Sequence, residues 1–504
     1  MNSGSMASGA ALVFPDLSGG ALNPLLPFLI LSVGALVLLL LDSLFAKRNN
    51  LPWAMISSVL PLLALATYAT RWPGQSGPTV FGPMYIEDPF ASFVGILVCI
   101  ATLFGMLLSE TYLKKMGRYR GDYFALLAFS ASGMVLFAST TEFLTLFLGL
   151  ELLSIPVYIL TGFLRRDQKS LEAAMKYLLL GAFSSALFLF GGAFIYGATG
   201  TTDLAVALRS APQSPMLQIG FVLLLSGFLF KAATVPFHMW TPDVYEGAPT
   251  AVTAFMATSI KAASFGALGR LLYNAAPVTQ ILPIPDMLWW IAVLTMTVGN
   301  FAALTQSNIK RMLAYSSIAH AGYMTVGLVS FASSGDTEAL AGVLYYLLAY
   351  TLMNIGAFGV VILWSEKGTE RLEIGEYAGL GWKTPALGLA MTIFMISLAG
   401  IPPAAGFFGK YYIFRNAVEH GYVSLVVLGV LNSALSVYYY LRVLVALYMR
   451  PATREFTMDR SVVVGSVVAF CGLALLWIGI APDTVLPGVP ALVGWVRESV
   501  LTLR

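Results

Sequence analysis

Fourteen long apolar stretches, following one another through short polar loops, limit what this chain can fold into. A helix that crosses the hydrocarbon core of a bilayer needs about 20 mostly apolar residues. The stretches run approximately over 22–44, 52–70, 90–111, 122–139, 141–164, 171–198, 216–240, 248–272, 285–305, 309–331, 338–364, 385–416, 422–448 and 461–482. They are continuous apolar runs without the two-residue alternation of a membrane barrel. The expected fold is all-α and polytopic, with one membrane domain over 22–483, an N-terminal tail over 1–21 and a C-terminal tail over 484–504.

Composition agrees. Of 504 residues, 58% are hydrophobic and 11% charged, and the mean hydropathy is +0.80. Soluble proteins carry about 25% charged residues, and even large soluble domains leave about a quarter of the unfolded chain's area in water. The solvent is therefore lipid, which excludes a soluble enzyme, a nucleic-acid binder and a disordered scaffold. Cys99 and Cys471 lie far apart with no CxxC pair, so neither a disulfide framework nor an Fe–S cluster is expected. There is no GxxxxGK[ST] or GxGxxG motif to signal a nucleotide site. Three scattered histidines predict no metal or haem site, and residues 1–21 lack the basic start of a secretory signal.

Lys and Arg set the expected orientation. Loops after odd-numbered stretches hold seventeen of them and the opposite side six. This predicts both termini on the outer face of a bacterial-type cytoplasmic membrane. One segment breaks the pattern: 241–247 falls on the cation-rich side yet carries Asp243 and Glu246 and no cation. The remaining five cations, Lys176, Lys231, Lys261, Lys410 and Arg442, fall inside apolar stretches.

A charge near the bilayer centre costs about 2.5–3.5 kcal/mol or more, and such residues usually face the bundle interior and serve transport. Glu151 is residue 11 of 24 in the fifth stretch, Lys231 residue 16 of 25 in the seventh, and Lys261 residue 14 of 25 in the eighth. One such charge reads as a structural ion pair. A row of them at one depth reads as a proton relay, because desolvation and a nearby carboxylate pull a lysine's proton affinity in opposite directions. Lys176, His238 and His320 are further candidates for the relay. Arg442 reads as structural.

Pro236 interrupts the seventh stretch in FKAATVPFHMW. The twelfth, about 32 residues, contains SLAGIPPAAGFFGK with Pro402 and Pro403. Proline removes a backbone bond and clashes one turn back, so both read as broken helices, and each carries a lysine (Lys231, Lys410). Irregular backbone within a membrane is tolerated only against protein or a wet cavity. Breaks in corresponding positions of two halves point to a transporter with inverted repeats: stretches 4–8 (about 122–272) and 9–13 (about 285–448). A faint internal echo, EAAMKYLLLGAFSSALFLFGGAF (172–194) against EALAGVLYYLLAYTLMNIGAFGV (338–360), supports the division.

Several of these segments carry a resemblance: ELLSIPVYIL (151–160), EAAMKYLLLG (172–181), FKAATVPFHMWTPDVYEGAPTAVTAFMATSIKAASF (230–265), NIKRMLAYSSIAHAGYM (308–324) and GIPPAAGFFGKYYIF (400–414). The chain resembles the antiporter-like, proton-pumping membrane-arm subunits of respiratory complex I, a proton-translocating NADH–quinone oxidoreductase. The likeness fails only at the two ends. Lys410 points to the subunit N branch, since the M and L subunits carry an acid at that position. An L subunit would be expected to continue into a long lateral helix after the last stretch, so the resemblance favours the other branches.

The resemblance implies fourteen helices with the seventh and twelfth broken. It also implies a proton pathway through Glu151, Lys231, Lys261 and Lys410, in which Glu151 pairs with Lys231. It implies no cofactor in this chain; FMN, Fe–S clusters and quinone belong to partner subunits. The expected partners are the other membrane-arm subunits, the lipid bilayer and protons, with no nucleic acid. A subunit of a multisubunit Na⁺/H⁺ antiporter, or of a ferredoxin- or hydrogenase-coupled relative of complex I, shares much of this pattern.

Overall fold

A computed structural model describes residues 22–45, 51–70, 79–452, 461–481 and 492–503. Their regular structure is helical, with four isolated β-bridges in the loops. Every apolar stretch is a helix: α1 Leu26–Phe45, α2 Trp53–Ala69, α3 Pro89–Lys115, α4 Gly121–Ala138, α5 Phe143–Thr161 and α6 Gln168–Thr199, then α7 in two halves, Pro215–Ala232 (α7a) and Trp240–Gly247 (α7b). There follow α8 Thr250–Asn274, α9 Ile284–Leu304, α10 Ile309–Ser334, α11 Thr337–Trp364, the two halves of α12, Pro385–Ala399 (α12a) and Ala405–Glu419 (α12b), α13 Val423–Met449 and α14 Val462–Ile480. Eleven of the described helices are long and apolar enough to cross a membrane alone. The others are short (α2), broken (α12) or carry a polar stripe (α10).

Polar residues start the helices where the apolar runs begin. Side chains of Asp88, Glu142, Asp167, Asn308 and Asp336 accept backbone N–H bonds in the first turns of α3, α5, α6, α10 and α11, at 2.6–3.0 Å. Such caps satisfy N–H groups that have no partner inside the helix. Without a hydrophobic force between helices in lipid, close approach comes from small residues. Gly133 of α4 lies so near α5 that an added Cβ would meet the Leu153 backbone nitrogen at 2.3 Å. Gly299 of α9 stands in the same relation to the Ala319 nitrogen of α10, at 2.6 Å.

The two breaks obey proline geometry. The α7a helix stops at Ala232, four residues before Pro236, and α12a stops at Ala399, four before Pro403. In each case the last helical carbonyl is the one that the proline ring would strike. Freed carbonyls find other donors: Phe230 O accepts Trp240 Nε1 at 3.1 Å, and Ala399 O accepts Lys410 Nζ at 3.0 Å. The seventh span therefore extends past its expected end. The acidic segment 241–247 is not a loop but α7b.

Helices α4–α8 and α9–α13 form two repeats with matching breaks. Each has five spans, an odd number, so the second enters from the opposite face and the repeats are inverted. Between them α8 is buried except at Tyr273 near its end, and α11 is nearly all buried. The α8 helix widens into a π turn over Met256–Ile260, immediately before Lys261. Within the expected C-terminal tail, α15 (Leu492–Leu501) packs on α3 and α11, with Trp495 4.5 Å from the Phe93 ring. The expected N-terminal tail, and the loop cations Lys47, Arg48, Arg71, Arg454, Arg460 and Arg504, lie outside the described residues.

Candidate functional site

Lys231 ends α7a and is 2% exposed. Its ammonium donates to Ser154 Oγ at 2.7 Å and to the Tyr158 hydroxyl at 3.4 Å. It stands 5.4 and 5.5 Å from the ring centres of Tyr158 and Tyr177, distances at which an aromatic face attracts a cation. Glu151, Ser154 and Tyr158 form one stripe on α5, because residues three and four apart share a helix face. The expected direct Glu151–Lys231 ion pair is not formed. Half-buried Glu151 instead accepts from Ser185 Oγ of α6 at 2.5 Å, one turn from the serine that holds Lys231. Carboxylate and ammonium are within Coulombic range, with Ser154 between them in register.

Lys261 follows the π turn of α8 and is also 2% exposed. Its ammonium donates to the backbone oxygen of Ser317 and, at 2.5 Å, to the Ser317 hydroxyl. The Tyr350 ring lies 5.2 Å away. An added residue in a helix turns the side chains around it, and such π turns recur at functional sites.

A polar stripe on α10 leads on from there. Ser316, Ser317, His320 and Tyr323 occupy one side of that helix. The Tyr440 hydroxyl of α13 bonds both Ser316 and, at 2.9 Å, His320 Nε2; His320 Nδ1 bonds the Tyr346 hydroxyl of α11. Tyr323 is held by Asn300 at 3.1 Å, and its ring lies 4.7 Å beneath Lys410. Lys410, on α12b, donates to Leu398 O (3.3 Å), Ala399 O (3.0 Å) and Ser433 Oγ (2.9 Å). It thus closes the open end of α12a, where cations sit well against the helix dipole.

The result is a buried polar axis that crosses both repeats, from Glu151 and Lys231 through Lys261 and His320 to Lys410. The hydrogen bonds of Lys231 end on α5 and those of Lys261 on α10. The two lysines therefore meet only as residues of packed neighbours, α7a and α8. The connecting tyrosines and serines escaped the sequence reading, since hydroxyls are ordinary in helices and their partners come from other elements. The one available signal was the polarity of YSSIAHAGYM.

Two relay candidates lie elsewhere. Lys176 is 42% exposed at the side chain and pairs with Glu172 and Asp243, both at 2.7 Å. His238 is half-buried in the α7 break, and its Nδ1 has no hydrogen-bond partner. Arg442 donates to Leu304 O at 3.0 Å and to Gln306 O, capping the end of α9, as a structural residue would. The odd charge of 241–247 is resolved by neighbours on the same face. Asp243 and Glu246 are neutralised by Lys169, Lys176 and Arg311. Among the described residues no three His, Cys, Asp or Glu side chains gather as a metal site.

Two broken helices in inverted repeats, with buried lysines on α7a, α8 and α12b, define a class: antiporter-like membrane subunits. Residues 140–436 match the family described as NADH:quinone oxidoreductase/Mrp antiporter, TM, and the chain belongs to that family. Within it, the chain is 50% identical over 442 residues to the NADH-quinone oxidoreductase subunit N of Trichlorobacter lovleyi, covering 86% of this chain and 89% of that one. A chain of respiratory complex I from Thermus thermophilus superposes with a TM-score of 0.77 at 38% identity, covering 92% of this chain and 99% of that one. A chain of the Mrp complex from a Dietzia species shares the fold, with a TM-score of 0.81 at 19% identity over 96% of this chain and 97% of that one.

Proposed function

We propose that this chain is the proton-translocating subunit N of an NADH–quinone oxidoreductase. It would work beside the other membrane-arm subunits, with FMN, Fe–S clusters and quinone held by partners. The carrying observation is the buried axis, in which Glu151, Lys231, Lys261 and Lys410 each lie against hydroxyl, carbonyl or aromatic groups able to hold a charge in lipid. A structural ion pair needs two charges. The lysines here have hydroxyl and carbonyl partners instead, which suits groups that gain and lose protons.

The direction of the step follows from charge. Lys231 keeps its proton while the Glu151 carboxylate is near. When redox energy from partner subunits draws that carboxylate away, the ammonium is disfavoured and the proton passes toward Lys261. His320 and its two tyrosines then carry it to the Lys410 end. Glu151 lies among exposed apolar residues of α5 and α6, including Leu148, Ile155 and Phe183. A half-buried carboxylate there is costly against lipid, which favours a neighbouring membrane subunit on this face. The cation bias supports a topology with both termini on the outer face.

Lys261→Ala tests the reading. The variant is expected to assemble, because removing a lone buried cation relieves desolvation, and to lose NADH-driven proton uptake in vesicles. Normal pumping per assembled complex would leave the lysines a structural role only.

A further inference from the structure

One cluster has no part in the axis. Arg311, at the start of α10, reaches two carboxylates of α7b one turn apart: Asp243 at 2.7 Å and Glu246 at 3.0 Å. Lys176 and Lys169 of α6 hold the same two acids from the other side, at 2.7 and 2.9 Å. Partly exposed ion pairs add little to stability, so the cluster's effect is on position. Both bonds leave one guanidinium nitrogen, Nη1, so a single group ties the two carboxylates together, and the planar guanidinium holds its geometry more rigidly than an ammonium on a flexible stem.

What the cluster positions is visible one turn away. Trp240 opens α7b, three residues before Asp243. Its indole N–H bonds back across the break to Phe230 O at 3.1 Å, and its ring stacks on Tyr177, with centroids 4.5 Å apart and planes 8° apart. Tyr177 meets Tyr158 edge-on at 4.7 Å, and these two rings wall the Lys231 ammonium. The far end of α7b is equally tight, since a Cβ on Gly247 would meet Lys169 O at 2.4 Å. Three helices are thus pinned together by α7b, and the rings around Lys231 take their place from it.

We propose that Arg311 is a positioning residue for the Lys231 site: by gripping Asp243 and Glu246 together it fixes α7b, and through Trp240 and Tyr177 it sets the aromatic walls of that lysine. This rests on the proton-relay reading above. The charged and titratable groups that bear on the two ends are few. Glu151 and Tyr158 (α5) and Tyr177 (α6) face Lys231. Asp167, Lys169, Glu172, Lys176, Tyr315 and Glu373 surround the Arg311 end.

The test uses the whole complex in proteoliposomes and measures NADH-driven pumping per assembled complex against pH. Arg311→Gln is expected to assemble, since Lys169 and Lys176 still neutralise the acids. Its pumping at neutral pH falls several-fold, and its pH profile moves by about one unit, a tenfold change in a protonation equilibrium. Arg311→Lys, which keeps the charge on a more flexible stem, recovers part of the loss. Trp240→Phe moves the profile the same way, and the double variant moves it no further, because residues acting as one unit are not additive. A wild-type profile in either assembled single variant, or fully additive shifts, overturns the proposal. Should Arg311→Gln not assemble, Trp240→Phe decides alone. Lys261→Ala, run in parallel, separates the two readings. If it pumps normally, the relay fails. If it does not pump while Arg311→Gln keeps the wild-type profile, only the positioning role fails.

Discussion

Replacing Tyr440 with phenylalanine deletes one oxygen from the middle of the axis and keeps the ring that fills the space. That oxygen bonds Ser316 and, at 2.9 Å, His320 Nε2. His320 is 1% exposed, so solvent is a poor substitute. A neutral imidazole donates from one nitrogen and accepts at the other. With Tyr346 still on Nδ1, the variant leaves Nε2 without its partner and breaks the bonded path between the Ser316–Ser317 turn and His320. A buried polar group left unsatisfied costs about 1–3 kcal/mol. At about 1.4 kcal/mol per factor of ten, a step through this histidine slows by about five- to 150-fold. The loss is small beside the packing of the whole chain, so assembly is expected to survive. The assay is NADH-driven acidification of proteoliposomes, read with a quenched pH dye and normalised to assembled complex. Pumping within about twofold of the parent would refute the inference that protons pass His320 by way of Tyr440, and would leave the histidine a packing role.

Further outcomes follow from the same geometry. Lys231→Arg keeps a cation that cannot release its proton, so the complex is expected to assemble and its turnover to fail; an active Lys231→Arg would exclude a protonation switch there. Glu151→Gln combined with Lys231→Ala is expected to be little worse than either alone, because in the proposed step the carboxylate acts only through the ammonium, and additive losses in vesicle pumping would count against that. Asp88 and Arg270 form a two-bond pair at 2.8 Å, 0% and 2% exposed. Asp88→Ala, which removes both carboxylate bonds of the buried arginine, is expected to destabilise by about 3–5 kcal/mol, and Asp88→Leu with Arg270→Met by much less; thermal melts of the purified complex showing the reverse order would contradict this. A cysteine at exposed Gln280 is expected to react with an impermeant thiol reagent from outside the cell and one at Lys367 not to; the opposite pattern would reverse the orientation.

Helix content and membrane class were legible because both are one-dimensional properties. A span is a run of apolar residues of a given length, so thirteen of the fourteen spans follow from the sequence to within a few residues. Where a helix must stop was legible as well, because a proline acts on a carbonyl four residues back. How far the seventh span continued was not. The residues after its break are polar, and only Lys169, Lys176 and Arg311, brought from α6 and α10, make Asp243 and Glu246 compatible with a helix there. The same reason sets Lys176 apart: its position in an apolar stretch is a fact of sequence, but its partners are Glu172 of its own helix and Asp243 of α7b.

The sequence by itself determined that this chain crosses a membrane many times, that two of its helices are broken, and that Glu151, Lys231, Lys261 and Lys410 are the charges that lipid makes expensive. The tertiary structure decided how those charges are held. Ser154 holds Lys231 while Ser185 holds Glu151, a π turn aims Lys261 at Ser317, and tyrosines from α10, α11 and α13 surround His320 and lead to Lys410. A hydroxyl costs little in a helix and leaves no mark on hydropathy, so its role appears only when packing brings it within about 3 Å of a buried charge.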